Sequence, residues 1–295
     1  MSNKIQSVGF IGIGKLGMPC AEVMAQEYNV TGYDIYPKKS TKITISETLE
    51  GAVRDKDVVF VAVQTPHDKI YDGSQPISHL PNKDFDYTIV NQVLADINQY
   101  VTQDQLVVLI STVLPGTLRK YIFPVLSEKI HLCYNPYFIA MGTTVRDFLY
   151  PEFILFGVVD ENAKNKAIEF YKTITDSPVY ATTLENAELI KVSYNTMIST
   201  KITFVNILME MCDKLPNTNV DEVTNALKMA NRRLISPMYL NGGMSDGGGC
   251  HPRDNIALSW LSKELDLSLN FFDSIMIGRE KQTEYLADII CNKFK

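Results

Sequence analysis

The 295-residue sequence has no hydrophobic run of membrane length. Its longest uninterrupted apolar stretches, Val58 to Val63 and Leu106 to Ile110, fall far short of the ~20 residues that cross a bilayer. This argues against a polytopic membrane protein. Basic charge is also scarce: 28 Lys+Arg stand against 34 Asp+Glu, the formal net charge is -6, and no basic stripe stands out. Counterion release on a phosphate backbone therefore has little to work with, and nucleic acid is not an expected partner. The five cysteines (Cys20, Cys133, Cys212, Cys250 and Cys291) are odd in number and lack paired spacing. They outline neither a disulfide framework nor a zinc site, so no metal is expected and reduced thiols in a cytoplasm fit better. Internal repeats and low-complexity tracts are absent. Lys4 before an apolar run imitates a signal peptide, but Gly9, Gly12, Gly14 and Gly17 interrupt it, and the segment reads as a first strand.

What is present is an ordinary globular composition, with 45% hydrophobic and 21% charged residues. At about 150 residues per domain, the length predicts roughly two domains. Strand-length apolar runs at 5–13, 30–34, 42–45, 57–63, 106–110 and 130–134 alternate with stretches of helical spacing, the signature of a doubly wound parallel sheet. One more strand and helix follow, through about residue 177. A helical pattern from Leu184 to Lys214 without internal Gly or Pro then marks a long helix that needs partners, and Pro216 ends it. Further helices are expected at 220–229, 253–265 and 277–290. The expected fold is α/β: a Rossmann-type doubly wound parallel sheet over 1–182, then a mainly helical domain over 183–295 with a long central helix and a cysteine segment.

Three constellations carry chemistry. Gly12-Ile13-Gly14-Lys15-Leu16-Gly17 is a G-x-G-x-x-G between strand and helix, where Gly12 permits the turn, Gly14 admits a pyrophosphate and Gly17 allows close helix packing. Asp34, at the end of the second strand, is placed to accept hydrogen bonds from ribose hydroxyls, which favours NAD over NADP. Lys191 and Asn195, four apart on the long helix with Glu188 a turn earlier, share a face on which they can stabilise an oxyanion or assist proton transfer from an alcohol. Finally, Gly247-Gly248-Gly249-Cys250-His251-Pro252-Arg253-Asp254 brings a cysteine to a helix N-terminus, a position that favours the thiolate, with Asp254 one turn along.

These motifs, with Val61 to Pro66, Ser111-Thr112-Val113, Pro115-Gly116-Thr117, Asn135-Pro136, Asp147-Phe148 and Pro151, occur in the order seen in UDP-glucose 6-dehydrogenases and related nucleotide-sugar dehydrogenases. The chain resembles this UDP-glucose/GDP-mannose dehydrogenase family over nearly its whole length. The resemblance implies a cytoplasmic, dimeric oxidoreductase of polysaccharide biosynthesis that oxidises a primary alcohol to a carboxylate with two NAD and a Cys250 thioester. It assigns Lys191 and Asn195 to the oxyanion and Asp254 with Thr112 to a catalytic water. NAD contacts fall on Gly12, Ile13, Gly14, Lys15, Leu16, Asp34, Val63, Thr65, Pro66, Ser111 and Thr112, and substrate contacts on Tyr137, Phe138, Lys191, Asn195, Gly247 and Gly248.

Where the family carries glutamates for thioester hydrolysis, this sequence has Tyr137 and Met141. Ile207 stands where a glutamate usually follows the helix asparagine Asn206, and Arg253 replaces a lysine. The sequence stops at Lys295, where the family continues into a third, UDP-holding domain. Either the substrate has no conventional nucleotide handle, or a partner chain supplies the surface, or the ancestral activity is lost. Two other readings stand beside the first: a two-electron dehydrogenase similar to the β-hydroxyacid dehydrogenases, and a non-catalytic NAD-binding protein.

Overall fold

A computed structural model describes residues 5–71, 76–102, 104–245 and 249–294. The chain forms two compact units, the first of residues 1–66 and 86–191, the second of residues 67–85 and 192–295.

The first unit is built on one sheet of eight strands: β1 (Ser7–Ile11), β2 (Asn29–Tyr33), β3 (Thr44–Ile45), β4 (Val58–Val61), β5 (Gln105–Leu109), β6 (Ile130–Tyr134), β7 (Ile154–Val158) and β8 (Val179–Thr182). Their order is β3-β2-β1-β4-β5-β6-β7-β8, parallel throughout except that β7 runs against β6. The strands β4 and β5 are buried at every position and read as near-continuous apolar runs, as strands covered on both faces do. The order reverses between β1 and β4, and the loops at the carboxyl ends of those strands are where an open α/β sheet binds its ligand.

Five helices belong to this unit: α1 (Gly17–Met24), α2 (Leu49–Val53), α3 (Thr88–Ile97), α4 (Thr144–Leu149) and α5 (Glu161–Tyr171). Thr48 and Asp160 cap α2 and α5 by accepting from Gly51 N and Ala163 N. The helix expected between β5 and β6 is instead a π turn, Leu118–Ile122, running into a 3₁₀ turn, Phe123–Val125. Pro124 has no N–H to continue an α-helical ladder.

Helix α6 (Leu184–Lys214) starts in the first unit and continues in the second, which adds α7 (Val220–Lys228), α8 (Cys250–Glu264) and α9 (Phe271–Lys293). Two of these begin earlier than the apolar period indicates. The first turn of α8 includes Cys250 itself, and α9 starts at Phe271 because the Asn270 side chain caps it by accepting from Asp273 N. Residues 67–85 pack with α8 and α9: Tyr71 and Ile77 form a small core with Ile256 and Met276, and Glu280 Oε1 accepts from Ile77 N (2.6 Å) and Ser78 N (2.9 Å). No described helix is long and apolar enough to cross a membrane.

Candidate active site

The glycine turn behaves as its three positions demand. Gly12 has φ +88°, and a Cβ there would lie 2.5 Å from Ala62 O; one on Gly17 would lie 2.1 Å from Gly12 O. A Cβ on Gly14 would meet nothing within 4 Å. Two glycines are thus demanded by the protein's own packing, and the third faces open space that a bound group can enter. The start of α1 has no side-chain cap and no acidic residue in its first turn, so nothing in the helix competes for an anion there. Asp34 directly follows β2 and its Oδ1 accepts from Tyr36 N at 3.0 Å. These residues fit a dinucleotide.

The loops after β4 and β5 are tied together by two hydroxyls. Ser111 Oγ donates to Val63 O (2.6 Å), and Thr65 Oγ1 donates to Thr112 O (2.7 Å). Glu188, fully buried at the start of α6, accepts from Gly116 N (2.6 Å) and Leu118 N (2.8 Å) and so fixes the next loop. Burial pushes its carboxyl up to about 7 despite the two backbone donors that favour the charged form.

Lys191 is 8% exposed; its Nζ donates to the Tyr137 carbonyl at 2.9 Å and lies 5.0 Å from the Phe138 ring centroid. Tyr137 therefore meets Lys191 through its backbone. Its side chain turns into the first unit, where the hydroxyl lies 3.1 Å from Tyr171 OH and packs beside Phe148. Tyr171 in turn donates to Asn135 Oδ1, and Asn135 Nδ2 donates to Leu155 O at 2.9 Å. Burial holds both tyrosine hydroxyls well above their ordinary range, so neither supplies a phenolate base. Met141 is exposed. Asp147 is occupied by Ala140 N and Thr143 Oγ1, which makes it a turn-former.

In the second unit, Asn195 Nδ2 donates to Asp254 Oδ2 at 2.7 Å. Asp254 is fully buried, and its Oδ1 accepts no hydrogen bond among the described residues; Arg253 Nε lies 3.6 Å from it. An acceptor left in this state one turn after Cys250 suits a water or a substrate hydroxyl. Cys250 is exposed in the first turn of α8, whereas Cys20 and Cys133 are buried. Burial alone pushes the Cys20 thiol up to about 12. Gly247 and Gly248 lie outside the described residues.

Sequence reading missed what surrounds these groups. Thr196, Ser199, His251 and Asn255 form a buried polar seam between α6 and α8, and Asn206 Nδ2 and Oδ1 hold Met244 O and Gly243 N, both at 2.9 Å. One signal was available: Asn255 is a lone amide before the apolar Ile256, Ala257 and Leu258.

Residues 37–175 match the family model described as the UDP-glucose/GDP-mannose dehydrogenase family, NAD binding domain, and residues 185–277 match the central domain of the same family. A UDP-glucose 6-dehydrogenase of Rickettsia typhi is 26% identical over 300 residues, covering 92% of this chain and 66% of the relative. The chain thus spans about two thirds of that relative's length. The solved UDP-glucose dehydrogenase from the hyperthermophilic archaeon Pyrobaculum islandicum superposes with a TM-score of 0.80 at 24% identity, over 96% of this chain and 69% of that one. A Mycobacterium tuberculosis 3-hydroxyisobutyrate dehydrogenase, solved with L-serine, superposes with a TM-score of 0.69 at 14% identity, over 96% and 94%. At these identities the two structures establish a shared fold.

Proposed function

Because the chain belongs to the UDP-glucose/GDP-mannose dehydrogenase family, we propose that it is an NAD-dependent oxidoreductase that takes the primary alcohol of a sugar or nucleotide sugar toward the carboxylate through a covalent intermediate on Cys250. The observation that carries this reading is the Asn195–Asp254 bond. It joins the amide one turn after Lys191 to the buried carboxylate one turn after Cys250. The proposed domain boundary lies at 182/183, between the two family matches.

In this reading Gly12 to Leu16, Asp34, Val63, Thr65, Pro66, Ser111 and Thr112 hold the dinucleotide, which when bound supplies the hydride acceptor. Lys191 assists loss of the alcohol proton, and Lys191 and Asn195 stabilise the oxyanion. The Cys250 thiolate adds to the aldehyde carbon, and the carbonyl oxygen takes a proton. The resulting thiohemiacetal again carries a C–H that can leave as hydride while its hydroxyl proton is lost to solvent, and what remains is the thioester. Water ordered by Asp254 and Thr112 attacks the acyl carbon, releasing carboxylate and thiol. Phe138 lines the substrate, and Tyr137 reaches that side only through its backbone carbonyl.

With Tyr137 turned inward and Met141 in place of carboxylates, the release step lacks a strong base. Losing a general base costs about 10²- to 10⁴-fold. NADH production across a panel of UDP-sugars, GDP-sugars and free alcohols tests the reading. A burst followed by slow turnover on one of them supports it. Turnover of β-hydroxyacids alone would instead favour the two-electron alternative, and NAD binding without turnover of any panel member the non-catalytic one.

The same family reading extends to a cytoplasmic homodimer packed along α6, where Met197, Phe204 and Met211 recur at seven-residue spacing and, with Ile207 and Leu215, stand half-exposed.

A further inference from the structure

The first turn of α8 carries Cys250, and among the described residues no side chain caps it. Its N-cap is Gly249, which makes no side-chain cap bond, and the turn contains no acidic residue and includes Pro252, which donates no N–H. The turn is held instead from α6. Asn255, 1% exposed, is the hub: its Oδ1 accepts from Thr196 Oγ1 (2.9 Å), and its Nδ2 donates to Ser199 Oγ (3.0 Å) and to the His251 carbonyl (2.8 Å). His251 Nδ1 adds contacts to Asn195 O (3.2 Å) and Ser199 Oγ (3.3 Å).

An amide can stay in that dry seam only because it is satisfied; one that lost its partners would cost about 1–3 kcal/mol. The His251 carbonyl that Asn255 grips belongs to the residue after Cys250. The Asn195 carbonyl that His251 meets belongs to the residue bonded to Asp254. Each contact therefore bears on a group of the proposed chemistry.

We propose that Asn255, acting with Thr196 and Ser199, is a positioning residue that sets the register of Cys250 and Asp254 against Asn195. The proposal rests on the reading of Cys250 as the nucleophile. The seam stands in for a side-chain cap at the start of α8 and fixes the backbone next to Cys250.

Two variants separate positioning from folding. Asn255→Leu takes the amide partner from the Thr196 hydroxyl and one of three partners from Ser199 Oγ, and is expected to lose stability. The triple variant Thr196→Val, Ser199→Ala, Asn255→Leu removes the side-chain partners as well, and such matched apolar replacement is close to neutral for folding.

Two readouts are taken on each. The first needs no substrate: iodoacetamide labelling of Cys250 relative to Cys291 in the same molecule, quantified by peptide mass spectrometry. Cys250 is already exposed, so loosening its turn adds little access, and slower labelling reports that the thiol has left its fixed setting. The expected result for the triple variant is a parent-like melting temperature with the Cys250/Cys291 ratio lowered about threefold. The second readout is NADH production with whichever panel member the parent turns over. The expected result is kcat lowered about tenfold with KM unchanged, since misplacement of a reacting group is felt in the chemical step. A triple variant that keeps both the parent's labelling ratio and its kcat overturns the proposal. If no panel member is turned over, the function reading fails, while the labelling ratio still decides whether the seam sets the thiol.

Discussion

One buried and one half-buried titratable residue give the protein opposing responses to pH. Glu188 has its carboxyl pushed up to about 7 by burial, above its unfolded value, so its contribution to stability is full below about pH 4.5 and is lost as pH rises through 7. The span is worth on the order of 3 kcal/mol. His67 has its imidazole pushed down to about 4, first by burial and then by Arg253 and Lys83. Its contribution is present above about 6.5 and is lost as pH falls through 4. The two slopes offset one another near pH 5–6.5, so the parent's melting temperature is expected to vary little there. Glu188→Gln should unmask the histidine and make the melting temperature climb with pH across that window; a flat profile in the variant would refute the assignment. Asp34 gives a second test at this scale. Its carboxylate repels a 2′-phosphate, so fluorescence titration should show NAD binding more tightly than NADP, and the reverse order would remove Asp34 from the cofactor site. That Asp34 follows a strand and Lys191 lies on a long helix was legible from local pattern, while their roles and that of Cys250 are proposals. The inward turn of Tyr137 was not legible, because it depends on Tyr171 and Asn135, partners 34 and 2 residues away in sequence that no local period reveals.

At the scale of elements, α6 was legible to both ends, since its run without Gly or Pro and the closing Pro216 are local signals. The start of α8 was not. Gly249 provides no capping side chain, and the turn is secured by the seam from α6, a tertiary effect. The segment 67–85 carries no strand or helix period, and contacts with Ile256, Met276, Glu280, Ser259 and Asp273 attach it to the helical unit. The connection between α7 and α8 holds strain of its own. Ile235 has φ +63° and Tyr239 φ +64°, and a β-branched residue in the left-handed region costs about 1–3 kcal/mol. Lys201 Nζ, donating to Ser236 O at 2.7 Å, helps hold that turn. Ile235 is exposed and has little packing to lose. Ile235→Gly is therefore expected to stabilise by about 1 kcal/mol after the entropic cost of glycine, raising the melting temperature by about 2–4 °C. A lower melting temperature would mean the turn gains from the isoleucine side chain.

The chain has a sheet-based unit and a helical one, and the change from strand alternation to the long helix near residue 183 was legible in the sequence. The eight-strand order, with β7 reversed, was not, because pairing between distant strands leaves no mark in local composition. The half-exposed stripe on α6 leads to an expectation about assembly: sedimentation at micromolar concentration should show a dimer, and Phe204→Glu should shift it to monomer. A parent that sediments as a monomer would remove α6 as a seam. The central claim, however, is covalent chemistry at Cys250. The measurement that addresses it is intact-mass analysis, with NADH release followed in parallel, during the first turnovers of the substrate the sugar panel identifies. The account predicts an acyl adduct on Cys250 that accumulates with a burst of NADH. In Cys250→Ser no adduct should form, while oxidation of the alcohol to the aldehyde persists. A Cys250→Ser protein that reaches the full carboxylate as fast as the parent, with no adduct on either, would contradict the account and make the cysteine structural.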